Sequence, residues 1–159
     1  MRHAAFLAIL VTVGLVAGAC GSDEALTKAE YIEQGNAICA NSNAQIDLVF
    51  EEVFADFPDE PTQQQLSEGI GELAAGFIPL MEAQLADLRA LPPPKEDKET
   101  LGVLLDDLET VVEEINQLAE DAAAGDQAAI DRIDSEEDPF SDLNRRALEY
   151  GLTVCGEDS

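Results

Sequence analysis

Two proline clusters cut this chain into lengths, and between them apolar residues recur at three- and four-residue steps. Pro58-Asp59-Glu60-Pro61 and Pro92-Pro93-Pro94 are stops, because proline lacks the N–H a helix needs and pushes the residue before it out of the helical region. Ahead of the first cluster, Ile32, Cys39, Ile46, Val49, Val53 and Phe57 fall on one stripe of a helix about 30 residues long. Gly35 and Ser42 share the stripe and admit the close approach of a neighbour. Its start is written in Leu26-Thr27-Lys28-Ala29-Glu30-Tyr31: Thr27 caps, Glu30 reaches back, and Leu26 with Tyr31 forms the hydrophobic staple.

Between the clusters, Thr62-Gln63-Gln64-Gln65 offers a second capping box. The next stripe is Leu66, Ile70, Leu73, Phe77, Leu80 or Met81, and Leu88. Pro79 lies inside this helix, removes the hydrogen bond to the Ala75 carbonyl and bends the axis. Such a bend either opens a pocket beside Phe77 and Met81 or lets the helix wrap around a core. Beyond the three prolines, Leu101, Leu104, Leu105, Leu108, Val111, Val112, Ile115, Leu118 and Ala122 mark the buried side of a third helix that Gly125 ends. Asp126 caps a short fourth helix through Ile133, and the acidic loop Asp134 to Asp138 leads to Pro139 at a first helical position. Phe140, Leu143, Ala147 and Tyr150 then face inward, and Gly151 ends this last helix with Leu152 folding back over Ala147. No segment alternates with period two. The expected fold is all-α: an antiparallel helical bundle of three long helices plus one or two shorter ones.

Residues 1–20 read as an export signal. Met1-Arg2-His3 is a short positive end, Ala4 to Val16 is apolar, and Ala17-Gly18-Ala19 are small residues before Cys20. The apolar run is about 13 residues, whereas a helix needs about 20 to cross a bilayer. Val16-Ala17-Gly18-Ala19-Cys20 resembles the bacterial lipobox, with Ala17 where that pattern most often has leucine. The resemblance implies cleavage just before Cys20 and lipidation of its thiol; an ordinary signal cut at Ala17-Gly18-Ala19 is the alternative. The organisation expected is a signal over residues 1–19, a lipidated tether over 20–26 and a single domain over 27–159.

Three cysteines are present. With Cys20 lipidated, Cys39 and Cys155 remain, and an exported chain with two cysteines pairs them as a rule. The pair would close a loop of 116 residues, tying the first helix to the last residues. No second cysteine neighbours either one, so the expected role is structural rather than redox. Together with the closing Gly151-Leu152-Thr153-Val154-Cys155-Gly156, the pattern is similar to small envelope lipoproteins of high-GC Gram-positive bacteria. That likeness implies the outer face of the cytoplasmic membrane and no particular activity.

Acidic residues outnumber basic ones by 34 to 8, a formal net charge of −26. No basic residue occurs between Lys28 and Arg89. Such a surface repels nucleic acid and anionic headgroups, so attachment to a membrane has to come from the lipid on Cys20. The tether spans at most roughly 20 Å when extended, which holds the domain near the bilayer.

The only histidine, His3, lies in the signal. Nucleophilic catalysis through histidine and imidazole ligation of a metal are thereby excluded from the mature chain. Carboxylates formally allow a two-carboxylate hydrolase, but they lie mostly on the polar faces of amphipathic helices. Asp134-x-Glu136-x-Asp138 begins like an EF-hand loop, with Asp142 at the ninth position. Pro139 then stands where the turn needs glycine, and Arg145 where the bidentate glutamate belongs. Arg145-Arg146, the sole basic doublet after the signal, is read as neutralising the acids of neighbouring helices. The expectation is a non-enzymatic binding or adaptor module of the cell envelope, with no catalytic residue, metal or cofactor, whose partner is an envelope protein or cell-wall component. The alternative is a carrier of a small ligand or divalent cation. A carrier needs a cavity with converging polar groups, and an adaptor needs an exposed apolar patch.

Overall fold

A computed structural model of the protein describes residues 24–55, 57–58, 60–135 and 138–156. Five helices run through them: α1 (Lys28–Phe54), α2 (Gln63–Ala90), α3 (Lys98–Ala123), α4 (Gln127–Ile133) and α5 (Ser141–Tyr150). Among the described residues there is no strand. The three long helices pack in chain order as an antiparallel bundle, and α4 and α5 both lie against α3. None of the described helices is long and apolar enough to cross a membrane.

Local chemistry sets the helix ends. At Thr27 and again at Thr62, the threonine hydroxyl accepts the N–H three residues on, and the Glu30 or Gln65 side chain accepts the cap N–H in return. Each box satisfies backbone donors that a helix start otherwise leaves orphaned. Gly151 ends α5 at φ +113°, where a side chain is strained, and the Leu152 N–H returns to the Ala147 carbonyl at 2.9 Å. Asp126 accepts the N–H groups of Ala128 and Ala129 and so starts α4.

Two ends fall elsewhere than the sequence pattern predicts. α1 stops at Phe54 rather than running on to Phe57, because Pro58 disfavours a helical residue before it. Phe57 turns instead across Gly69 of α2, where an added Cβ would sit 2.7 Å from the ring. Pro139 precedes α5 instead of opening it. The carboxylate of Asp138 accepts the Phe140 N–H at 2.8 Å and its carbonyl accepts the Ser141 N–H. That turn holds Pro139, and the helix begins after it.

The core follows the stripes with a rotation. On α1 the buried face is Tyr31, Gly35, Cys39, Ser42 and Ile46, with Ile32 only half-buried. Gly35 is where Leu152 and Leu88 converge, and Gly76 of α2 is where Val49 crosses, each too close for a Cβ. Among the described residues, Tyr31, Cys39, Leu101 and Leu152 are the largest fully buried side chains. An apolar side chain buried so completely contributes about 1.5–3 kcal/mol. A smaller cluster of Ala122, Ala129 and Ile130 seats α4 on α3.

Cys39 and Cys155 form the predicted disulfide, with Cα atoms 5.1 Å apart. It fastens the segment after α5 to the middle of α1. The expectation of an all-α, antiparallel, disulfide-closed bundle therefore holds.

Candidate ligand-binding cavity

The end of α5 is pinned to α1 by several contacts beside the disulfide. The Tyr31 and Tyr150 rings meet edge to face at 6.2 Å, and Val154 N–H donates to Asn36 Oδ1 at 3.0 Å. Asn43 Nδ2 reaches the Val154 carbonyl at 3.4 Å. Toward the start of α5, a cavity of about 530 Å³ opens among α1, α2, α3 and α5. Small-molecule sites usually span about 300–1,000 Å³.

Its lining divides by depth. Met81, Gln84 and Leu88 of α2 with Leu104, Leu105 and Leu108 of α3 are buried and form the floor. Ile46, Leu143 and Ala147 make the walls, and Leu152 and Cys155 stand at the disulfide end. Phe77 and Phe140, edge to face at 6.4 Å, close another side. Asn43, Asp47, Phe50, Asp138 and Asn144 form the more exposed rim. Phe50 continues outward as a ridge, stacked on Phe54 at 5.9 Å, which in turn meets Phe57 edge-on at 5.4 Å.

The polar chemistry of this lining is sparse. Gln84 is only 8% exposed, and its side-chain Oε1 is buried with no hydrogen-bond partner. Among the described residues no lysine or arginine lines the space. The nearby arginines are engaged: Arg145 with Asp142 and Glu149, and Arg146 with Asp107 of α3 and with Asp142. The Arg145 hydrogen bond, with the charges of both arginines, holds the Asp142 carboxyl below its ordinary value. Arg146 thus neutralises a neighbouring helix as the sequence suggests, whereas Arg145 serves its own.

A second polar knot closes the far end of the bundle. The Tyr150 hydroxyl donates to Asp97 Oδ2 at 2.8 Å, and Lys28 Nζ lies 4.1 Å from the Tyr150 ring centroid. Asp97 stands at the cap position of α3 but makes no side-chain cap bond there. Burial, followed by the Asp97 hydrogen bond and charge, pushes the Tyr150 phenol well above its ordinary value. Leu26 N–H donates to the Pro92 carbonyl at 3.1 Å, so the chain is already held to the fold before α1 begins.

Of the residues singled out in the sequence, Cys39 and Cys155 come together and Cys20 lies outside the described residues. In the acidic loop, Asp134 and Asp138 are described and Glu136 is not. Asp138 is spent on the turn before α5 and on the cavity rim. Among the described residues no three histidine, cysteine or acidic side chains gather as a metal site. Phe77 and Met81 line the cavity, but Pro79 does not; it borders a separate hollow of about 320 Å³ between α2 and α3. Gln84 escaped the sequence reading, although its spacing from Met81 and Leu88 puts it on the buried face of α2. No protein-family model, no curated protein and no solved structure matches this chain.

Proposed function

We propose that the protein is a lipid-anchored extracytoplasmic helical domain that binds a small, largely apolar molecule and performs no catalysis. The observation that carries this reading is the cavity of about 530 Å³ with an apolar floor and a polar rim. Of the two roles the sequence leaves open, the small-ligand carrier is the one this space supports. The anchor rests on the lipobox-like run ending at Cys20, with the tether meeting the fold at Leu26. Residue 47 lies 20 positions beyond Thr27, so the rim stands about 30 Å along α1 from the tether.

Native mass spectrometry of the full chain with N-phenyl-1-naphthylamine, a neutral aromatic probe, tests the cavity. A one-to-one adduct is expected, and Ala147→Phe, which fills the space from the wall, should lose it while keeping the helical circular dichroism of the parent. No adduct with the parent chain sinks the proposal. For the anchor, Cys20→Ser should leave the membrane fraction; a variant that still sediments with membranes removes the lipid from the account.

The adaptor role draws on a narrower feature, the ridge of Phe50 and Phe54, residues that are 41% and 47% exposed. Its test is crosslinking in the envelope, where Phe50→Ser with Phe54→Ser should abolish any protein adduct the parent forms.

A further inference from the structure

The cavity carries one chemical instruction besides its size. Among the described residues that line it, only Gln84 has a buried side-chain oxygen without a hydrogen-bond partner. It sits on the floor, with Met81 and Leu88 one turn before and after it. A carbonyl oxygen stripped of water and left unpaired is costly, and an O–H or N–H from a bound molecule relieves that cost. An aliphatic chain or an ether offers no such group.

Charge narrows the class further. Among the described residues, Asp47 and Asp138 are the ionisable ones lining the space, no cation lines it, and both arginines of α5 are bound by carboxylates. An anionic head would meet two like charges at the rim and find no countercharge inside. The formal net charge of −26 adds a field of the same sign.

We infer that the ligand is an uncharged apolar molecule carrying a hydroxyl or amide N–H, and that the Gln84 amide, whose Oε1 is buried in the unliganded protein, turns toward the cavity to accept it. This rests on the reading of the cavity as a binding site. The structure thereby separates neutral alcohols and amides from fatty acids and phosphorylated lipids of the same apolar bulk.

The experiment uses the full chain in bilayer nanodiscs and three diazirine-bearing probes of one chain length: 1-decanol, decanoate, and methyl decyl ether. Crosslinks are mapped by peptide mass spectrometry and normalised to labelling of the nanodisc belt protein. The decanol probe is expected to mark α2 and α3 peptides several-fold more than the ether, the scale of one lost hydrogen bond, and about tenfold or more above decanoate, which loses the same bond and also meets the rim carboxylates. Gln84→Met, close in volume, should equalise decanol and ether while both still label the site. Asp47→Asn with Asp138→Asn should raise decanoate labelling, and the asparagine at 138 keeps an acceptor for the Phe140 N–H. Decanoate equal to decanol, a preference for the ether, or discrimination that survives Gln84→Met overturns the inference but leaves the cavity a binding site. If none of the three probes labels the cavity, the ligand-binding reading falls as well.

Discussion

Removing the Cys39–Cys155 bridge should cost this domain a large part of its stability. The two cysteines are 116 positions apart, and closing so long a loop in the unfolded chain is worth about 5 kcal/mol in the chain-entropy treatment. A single domain of this size has a net stability of about 5–15 kcal/mol, so the bridge supplies between a third and all of it. Cys39→Ala with Cys155→Ala is the appropriate perturbation, since serine would bury a hydroxyl at a position with no exposure. Equilibrium urea unfolding of the parent and the double variant measures the difference. A loss of about 4–6 kcal/mol is expected, with a steeper denaturant slope because the open unfolded chain exposes more surface. Hydrogen exchange should show α5 losing protection ahead of α2 and α3, because the bridge and the residues around it fasten α5 to α1. A loss below about 1 kcal/mol would refute the entropic reasoning, since strain or residual structure would then have cancelled nearly all of the loop effect.

Other residues give independent checks. Gln84→Met should stabilise the ligand-free protein by about 1–3 kcal/mol in the same urea assay, because it removes a buried, unpaired oxygen; a loss of stability would mean that the oxygen is satisfied. Gly151→Ala should cost about 1–2 kcal/mol at φ +113°, and more if Ile32, 2.8 Å from the added Cβ, resists moving; a neutral result refutes the strain argument. Thr27→Ala breaks the first capping box and should lower stability by about 1 kcal/mol, seen as a lower thermal midpoint. Tyr31 and Tyr150 both have phenols raised above the ordinary value of 10.0, the first by burial and the second by burial and then Asp97. Folded protein therefore binds these protons more tightly than unfolded chain does. Their stabilising effect is complete below pH 10 and drains away as pH rises from there through the folded values. Phenolate absorbance at ordinary pH in the folded protein would contradict this; the folded protein should instead delay it relative to protein in urea.

Much of the fold was legible because the signals were local. Thr27 with Glu30, Thr62 with Gln65, and Gly151 with Leu152 each sit within four residues of their partners, so sequence spacing alone states the geometry. The disulfide was legible by counting, once Cys20 was assigned to the anchor. The end of α1 was misread because the stripe through Phe57 continues in the sequence, while Pro58 and the hollow above Gly69 turn that ring onto α2. Of the cavity, only Phe77 and Met81 were legible, and through the Pro79 bend, which the structure places beside a different hollow. The cavity arises from where α5 is pinned to α1 and where it stands clear, a matter of tertiary placement that no window of residues encodes. Gln84 differs: its spacing from Met81 and Leu88 marks the buried face of α2, but a stripe read from apolar residues alone passes over a glutamine.

The placement of the disulfide also has a mechanical side. A pull applied through residues before Thr27 and after Cys155 enters α1, reaches Cys39 and passes through the sulfur–sulfur bond to Cys155. Most of α1 and all of α2 through α5 lie inside the 116-residue loop and bear none of the load. Only residues 28–38 can pay out, a slack of about 22 Å as their helical rise of about 1.5 Å per residue gives way to full extension. Tension applied ahead of Thr27 would peel the first turns of α1 while leaving the cavity floor, carried on α2 and α3, covalently isolated from the strain.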